Sequence, residues 1–209
     1  YEAERPVILA GHGILLSGAS KEVIELAEIA NIPIAWTLLG SGAIPSSHPL
    51  NMGMMGMHGE FAANNAIQKA DLLIACGMRF DDRVTGNTNT YSPDSKKIHI
   101  EIDPSEINKN VPVDMALVGD LKLVLNTLLP HITKKKNNKW LDKISEWYIE
   151  SKSRDIINTD TDMLYGAQVI SDLWKETNGN AIVVSDVGQH QMLEAQYYKH
   201  DEPNTLLTS

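Results

Sequence analysis

Cysteine is nearly absent: Cys76 stands alone in 209 residues. A disulfide framework within the chain, and any zinc site built on paired cysteines, are excluded, and a reducing, cytoplasmic setting is expected. Basic charge is also scarce. Eighteen Lys and Arg face 27 Asp and Glu, the net charge is −9 and the pI is near 5.2. Lys134-Lys135-Lys136 is too short a basic cluster to draw nucleic acid, so no such partner is expected. No apolar run approaches the ~20 residues of a membrane span, and no membrane partner is expected either. The sequence holds no G-x-S-x-G elbow and no Cys–His pairing suited to a nucleophile. It shows no internal repeat, and Tyr1 to Pro6 does not resemble a signal peptide. The first residue is Tyr1 rather than Met, and Leu206 to Ser209 read like a strand entering a turn, so the chain reads as a piece of a longer protein.

What is present is ordinary globular material. Apolar residues make up 43% and charged residues 22%, enough to bury a core. Short apolar runs alternate with helix-spaced segments. Strands are expected at Pro6 to Ala10, Pro33 to Thr37, Asp71 to Cys76, Lys97 to Ile102 and Asp114 to Val118. Helices are expected at Ala19 to Ala30, Gly59 to Lys69 and Asp120 to Leu129, with a helical turn at Pro104 to Asn108. Such alternation predicts an α/β fold with a doubly wound parallel sheet over residues 1–131. A linker with an amphipathic helix around Trp140 to Ile149 is expected over 132–161. A second α/β domain opens over 162–209, with a helix at Asp162 to Lys175, a strand at Ala181 to Ser185 and a helix at Gln189 to Tyr198.

Open parallel sheets bind ligands at the carboxyl ends of their strands. Each of the five expected ends carries glycine or charge: Gly11-His12-Gly13, Thr37-Leu38-Leu39-Gly40, Gly77 to Arg83, Glu101-Ile102-Asp103 and Gly119-Asp120. Glycines let backbone amides approach phosphates, and arginines clamp them. The ensemble predicts a dinucleotide cradle. It is not the ordinary NAD fingerprint, because Leu16 stands where a third glycine belongs and the second strand ends in Trp36-Thr37 without an acid. Within Arg79 to Arg83, the arginines are read as holding phosphates or a nucleobase, with Asp81 or Asp82 orienting them or bonding ribose. A solvated ion-pair loop is the competing reading.

Four methionines crowd Asn51 to His58, and adaptable packing of thioethers against a flat ring is preferred over a soft-metal site. His58 either bonds the ligand or caps the helix that follows. Cys76 reads as core and His99 as a strand-face residue, while His48, His131 and His200 fall in polar loops and carry no signal. Ser185 to Gln191 reads as a strand-to-helix turn, with Gln189 and His190 able to donate to an anion.

Three runs carry a resemblance. Met55-Gly56-Met57-His58-Gly59, Arg79-Phe80-Asp81-Asp82-Arg83-Val84-Thr85-Gly86-Asn87 and Asp186-Val187-Gly188-Gln189-His190-Gln191-Met192 resemble, in order and spacing, the catalytic large subunits of the acetohydroxyacid synthase (acetolactate synthase) family. The resemblance implies a three-domain parent subunit. Its middle domain, of the DHS-like NAD/FAD-binding kind, holds FAD, and thiamine diphosphate with Mg²⁺ lies between the first and third domains of neighbouring subunits. It implies phosphate contacts for Gly11, His12 and Gly13, and places Thr37, Leu38 and Gly40 with Met55, Gly56, Met57 and His58 along the flavin. Gly77, Arg79, Asp81, Arg83 and Val84 would meet the dinucleotide, and Glu101, Ile102, Gly119 and Asp120 the adenosine half. Val187, Gly188, Gln189 and His190 would approach the diphosphate of thiamine diphosphate. His12, where a small residue is usual, and Leu193, where tryptophan is usual, depart from the pattern.

The implied reaction condenses pyruvate with a second 2-keto acid to 2-acetolactate or 2-aceto-2-hydroxybutyrate, on a homodimer or homotetramer with a small regulatory subunit. The catalytic glutamate and the Mg²⁺ motif fall outside these residues, so no catalytic or metal-binding residue is assigned and the chain alone is expected to be inactive. A thiamine- and flavin-dependent pyruvate oxidase, a sirtuin-like NAD-dependent deacetylase and a non-enzymatic nucleotide-binding module are the rival readings.

Overall fold

A computed structural model describes residues 2–158 and 162–208. Tyr1, Ser209 and residues 159–161, the last three of the expected linker, lie outside the described residues.

Six parallel strands form the main sheet: β1 (Pro6–Ala10), β2 (Ile34–Trp36), β3 (Asn51–Met54), β4 (Leu72–Cys76), β5 (Lys96–Glu101) and β6 (Met115–Val118), in the order β3-β2-β1-β4-β5-β6. All five residues of β1 are buried, as expected for a central strand covered on both faces. The two-residue period of β1 divides the core. Ile8 and Ala10 pack with Val23, Leu26 and Ala27 of α2 (Ser20–Ala30) and with Leu121 and Leu125 of α5 (Leu121–Leu128). Val7 and Leu9 point the other way, toward Ala63, Ala66 and Ile67 of α3 (Phe61–Lys69) and toward Trp140 and Ile144 of α6 (Asn138–Lys152). Helices on both faces make the sheet doubly wound, as the alternation predicts. Two short helices complete this part, α1 (Gly13–Ser17) and α4 (Asp82–Thr85).

The order reverses at β1. One crossover series runs out to β3, the next returns to β4, and β1 pairs β4 from Pro6↔Leu72 to Ala10↔Cys76. The crevice at such a switch point is where this architecture binds ligands.

Strand β3 is not among the strands expected from the sequence. It is a short edge strand whose register against β2 shifts between Ile34 and Trp36, around Gly53 at φ +91°. The Asn51 carboxamide oxygen pins the bend, accepting from Trp36 Nε1 at 3.1 Å and Gly53 N at 2.8 Å. Boundaries move elsewhere too. The expected helical turn at 104–108 is a 3₁₀ turn over Pro104–Glu106, and the helix expected from Asp162 starts at Gly166. There the Gln168 side chain reaches back to accept from Tyr165 N at 3.1 Å, so the first turn is set by Tyr165 and not by Asp162.

Beyond α6 come α7 (Gly166–Thr177), β7 (Val183–Ser185), α8 (Gln189–Tyr197) and β8 (Leu206–Thr208), with β7 and β8 paired in parallel. His200 lies in a loop, as expected, but it is not without a role. His200 and Glu194 of α8 are buried and bonded, Nε2 to Oε1, at 2.6 Å, and His200 Nδ1 lies 2.7 Å from Thr205 Oγ1. This segment docks on the loop after β2: Ser46 N and Oγ both donate to His200 O at 3.0 Å, and Ser47 N donates to Asp201 at 2.8 Å. No described helix is long and apolar enough to cross a membrane.

Candidate functional site

A cavity of about 910 Å³ opens at the carboxyl ends of the strands, over the switch point between β1 and β4. That is near the top of the ~300–1,000 Å³ range of small-molecule and cofactor pockets. Of the residues expected from the sequence, His12, Gly13, Thr37, Leu38, Met55, Met57, His58, Gly77, Arg79, Asp81, Arg83, Val84, Glu101, Ile102 and Asp120 line it. Strand ends far apart in sequence therefore converge on one space.

Gly11, Gly13 and Gly77 form the floor, and they are glycine for a steric reason. A Cβ on Gly11 would sit 2.1 Å from Gly77 O, and one on Gly13 2.7 Å from Gly77 Cα. Gly77 itself has φ +59°, a conformation that favours glycine. Two of the amides expected to face phosphate are already engaged: Gly11 N donates to Cys76 O at 2.9 Å and Gly13 N to Gly77 O at 3.0 Å. These glycines bring the first and fourth strand ends into contact, and the exposed His12 stands beside them at the cavity.

Three other expected glycines shape the wall from behind. A Cβ on Gly40 would meet Ala10 O at 2.5 Å, and one on Gly56, at φ +99°, would meet Arg83 O at 2.5 Å. Gly119 N donates to Glu101 O at 3.0 Å, continuing the sheet. Near Gly56, Met57 N donates to Arg83 O at 2.8 Å, which joins the methionine turn to the arginine turn. Asn64 of α3, which carries no sequence signal, grips the buried Gly56 peptide at both ends. Its Oδ1 accepts from Gly56 N and its Nδ2 donates to Gly56 O, each at 2.9 Å.

The acidic residues are largely committed to the backbone. Asp81 caps α4, accepting from Arg83 N at 3.0 Å and Val84 N at 3.3 Å. Asp120 caps α5 through Leu123 N at 3.0 Å. Glu101 Oε1 accepts from Ile102 N at 2.9 Å and Asp103 N at 3.3 Å. Their role as ribose acceptors thus competes with turns they already stabilise. Arg83 and Asp82 form an exposed pair at 3.2 Å, the ion-pair loop of the competing reading, while Arg79 is exposed at the cavity. Leu16, Leu39, Met57 and Ile102 present large exposed apolar surfaces around the opening. Arg79 offers a cation at the cavity among carboxylates largely engaged by the backbone or by Arg83, and the lips are apolar. Cys76, fully buried in β4, has its thiol pushed up to about 12 by burial and is core, as expected.

Helix α8 adds wall residues that strand-end reasoning misses, Gln191 and Met192. Gln196 on the same helix donates to His58 O at 2.7 Å, so α8 braces the methionine turn. Val187, Gly188, Gln189 and His190 do not line the cavity. They sit at the start of α8, where Val187 N donates to Asp186 Oδ1 at 2.7 Å, and Val187 is 65% exposed.

The family pattern "Thiamine pyrophosphate enzyme, central domain" matches residues 1–128. Over its whole length the chain is 44% identical to a probable acetolactate synthase large subunit of Methanocaldococcus jannaschii, 36% of which it covers. It is 44% identical to the acetolactate synthase large subunit of Corynebacterium glutamicum, again over the whole chain, covering 34% of that protein. Over 99% of the chain it is 39% identical to the acetolactate synthase isozyme 3 large subunit of Escherichia coli, covering 37% of it. The chain thus spans little more than a third of these relatives.

Proposed function

Because the chain belongs to the thiamine pyrophosphate enzyme family through its central domain, we propose that it is the FAD-binding part of an acetolactate synthase large subunit, continuing into the start of the thiamine-diphosphate domain. The observation that carries the reading is the cavity at the sheet's switch point, with Arg79 on one wall and methionines on another. The residues suit FAD. His12 and Gly13 of the first turn border the cavity where a diphosphate can lie. Met55 and Met57 offer polarisable thioethers to an isoalloxazine face. Arg79 and Arg83 offer charge to the phosphates, and Glu101, Ile102 and Asp120 border the adenosine end.

The parent reaction joins pyruvate, with loss of CO₂, to a second 2-keto acid and yields 2-acetolactate or 2-aceto-2-hydroxybutyrate. Bound thiamine diphosphate supplies the carbanion stabilisation that this needs. FAD is assigned a structural part. In this chain the work is placement. The glycine floor fixes the distance between two strand ends, and Asn64 and Gln196 hold the methionine turn. Val187 to His190, at the start of α8, would approach the diphosphate of thiamine diphosphate. The Mg²⁺ ligands and the catalytic glutamate are assigned to other parts of the full polypeptide. A homodimer or homotetramer, a small regulatory subunit and a cytoplasmic location belong to the same proposal.

The test is product formation by the full-length polypeptide supplied with FAD, thiamine diphosphate, Mg²⁺ and pyruvate. Acetolactate with the flavin staying oxidised is the expected result. Stoichiometric flavin reduction by pyruvate without acetolactate would overturn the proposal in favour of an oxidase.

A further inference from the structure

The arginine turn is held in a shape it would not keep alone. Between Gly77 at φ +59° and Phe80 at φ +51°, the backbone is left-handed twice within four residues. Phe80 has a Cβ, so its conformation is strained and persists only where neighbours impose it. Its ring is 2% exposed and packs edge-on against Tyr91 and His99, with centroids 6.1 and 5.1 Å away. The two peptide carbonyls flanking Arg79 are each held by a side chain from a later part of the sheet. His99 of β5, fully buried, approaches Met78 O through Nε2 at 2.7 Å. Asn110, in the loop before β6, donates through Nδ2 to Phe80 O at 3.2 Å.

The chemistry of His99 fixes its direction of action. A carbonyl oxygen only accepts, so Nε2 carries the proton and donates. Nδ1 is buried among atoms that offer it no partner. Glu101 Oε2, 3.9 Å from Nε2, is beyond hydrogen-bonding distance. The whole polar output of this buried ring is therefore directed at one carbonyl, that of the residue preceding Arg79.

We propose that His99 and Asn110 are positioning residues of the dinucleotide site, holding the carbonyls of Met78 and Phe80, the residues on either side of Arg79, so that its guanidinium faces the cavity. The proposal rests on the reading of the cavity as an FAD site with Arg79 on the dinucleotide. It gives a role to a histidine that the sequence marks only as a strand-face residue, and to an asparagine that the sequence does not mark at all.

The test is a double-mutant cycle read by FAD titration of the full-length polypeptide, with flavin fluorescence as the signal. His99→Leu, which removes the donor, is expected to weaken FAD binding about tenfold, the size of one lost hydrogen bond. His99→Gln carries an amide nitrogen at about the reach of Nε2 and is expected to restore affinity to within about threefold. In an Arg79→Ala background the His99→Leu effect is expected to shrink below about twofold, because the guanidinium it positions is gone. Should His99→Leu fail to fold, Asn110→Ala replaces it in the same cycle, since Asn110 is exposed and its truncation opens no core cavity. Additive losses would overturn the clamp and leave only general stabilisation, with the FAD site intact. An Arg79→Ala protein that binds FAD as the wild type does would overturn the underlying site reading and the clamp with it.

Discussion

Asn64→Ala is the sharpest perturbation of the site, because it removes two hydrogen bonds and nothing else of size. Both bonds are 2.9 Å long and both end on the buried Gly56 peptide. Each neutral bond contributes about 1 kcal/mol net, and a buried donor or acceptor left without its partner costs about 1–3 kcal/mol. Gly56 cannot swing out to find water. Its φ of +99° and its 2.5 Å Cβ-position approach to Arg83 O fix it against the arginine turn. A loss of about 2–3 kcal/mol follows, which at this chain length lowers the melting temperature by about 4–12 °C. Asn64→Asp keeps the acceptor for Gly56 N and loses the donor to Gly56 O, so about half the loss is expected. Thermal unfolding by circular dichroism measures the stability, and amide exchange at Gly56 and Met57 measures the loop. Unchanged melting, within about 1 °C, with Gly56 still protected would refute the assignment of the methionine turn to this clamp.

Gly77→Ala is expected to be worse, since its Cβ would lie 2.6 Å from Gly13 Cα at a φ of +59°; loss of soluble folded protein or a drop of several kcal/mol by denaturant melts is the outcome. Glu194→Ala leaves Nε2 of a fully buried His200 without its 2.6 Å partner and is expected to cost about 1–3 kcal/mol, whereas replacing both by apolar residues of similar volume should recover most of it, as denaturant melts would show. Burial raises the Glu60 carboxyl above its ordinary range, against an opposing Lys152. A raised carboxyl favours folding while protonated, so its contribution is present below the ordinary carboxylate pKa and is lost as pH rises through the folded value. Glu60→Gln should remove that slope from the acid side of the pH–stability profile, and an unchanged slope would count against it. The chain of 209 residues by itself should form no acetolactate from pyruvate with all cofactors supplied, and a colorimetric acetoin assay decides it.

The central strands were legible because burial on both faces leaves an unmistakable apolar run: β1 and β4 fall within a residue or so of where Pro6 to Ala10 and Asp71 to Cys76 place them. Edge strand β3 was not, because an Asn-Met-Gly-Met stretch is only four residues long, holds a glycine and no β-branched residue, and its pairing depends on a bend held by Asn51. The glycine turns were recognisable as a site, but their chemistry was not. Whether Gly13 N faces a ligand or a carbonyl is decided by β4, 60-odd residues away. Asn64, Gln196 and the Glu194–His200 pair were hidden for the same reason. Each acts through a partner that the local pattern does not announce.

The account stands or falls on what occupies the cavity at the switch point. A crystal structure of the full-length polypeptide grown with FAD tests this directly. The expected density has the isoalloxazine against Met55 and Met57, the diphosphate at the Gly11–Gly13 turn and Arg79 within hydrogen-bonding distance of the dinucleotide. FAD bound elsewhere, or a cavity left empty at saturating FAD, would contradict it.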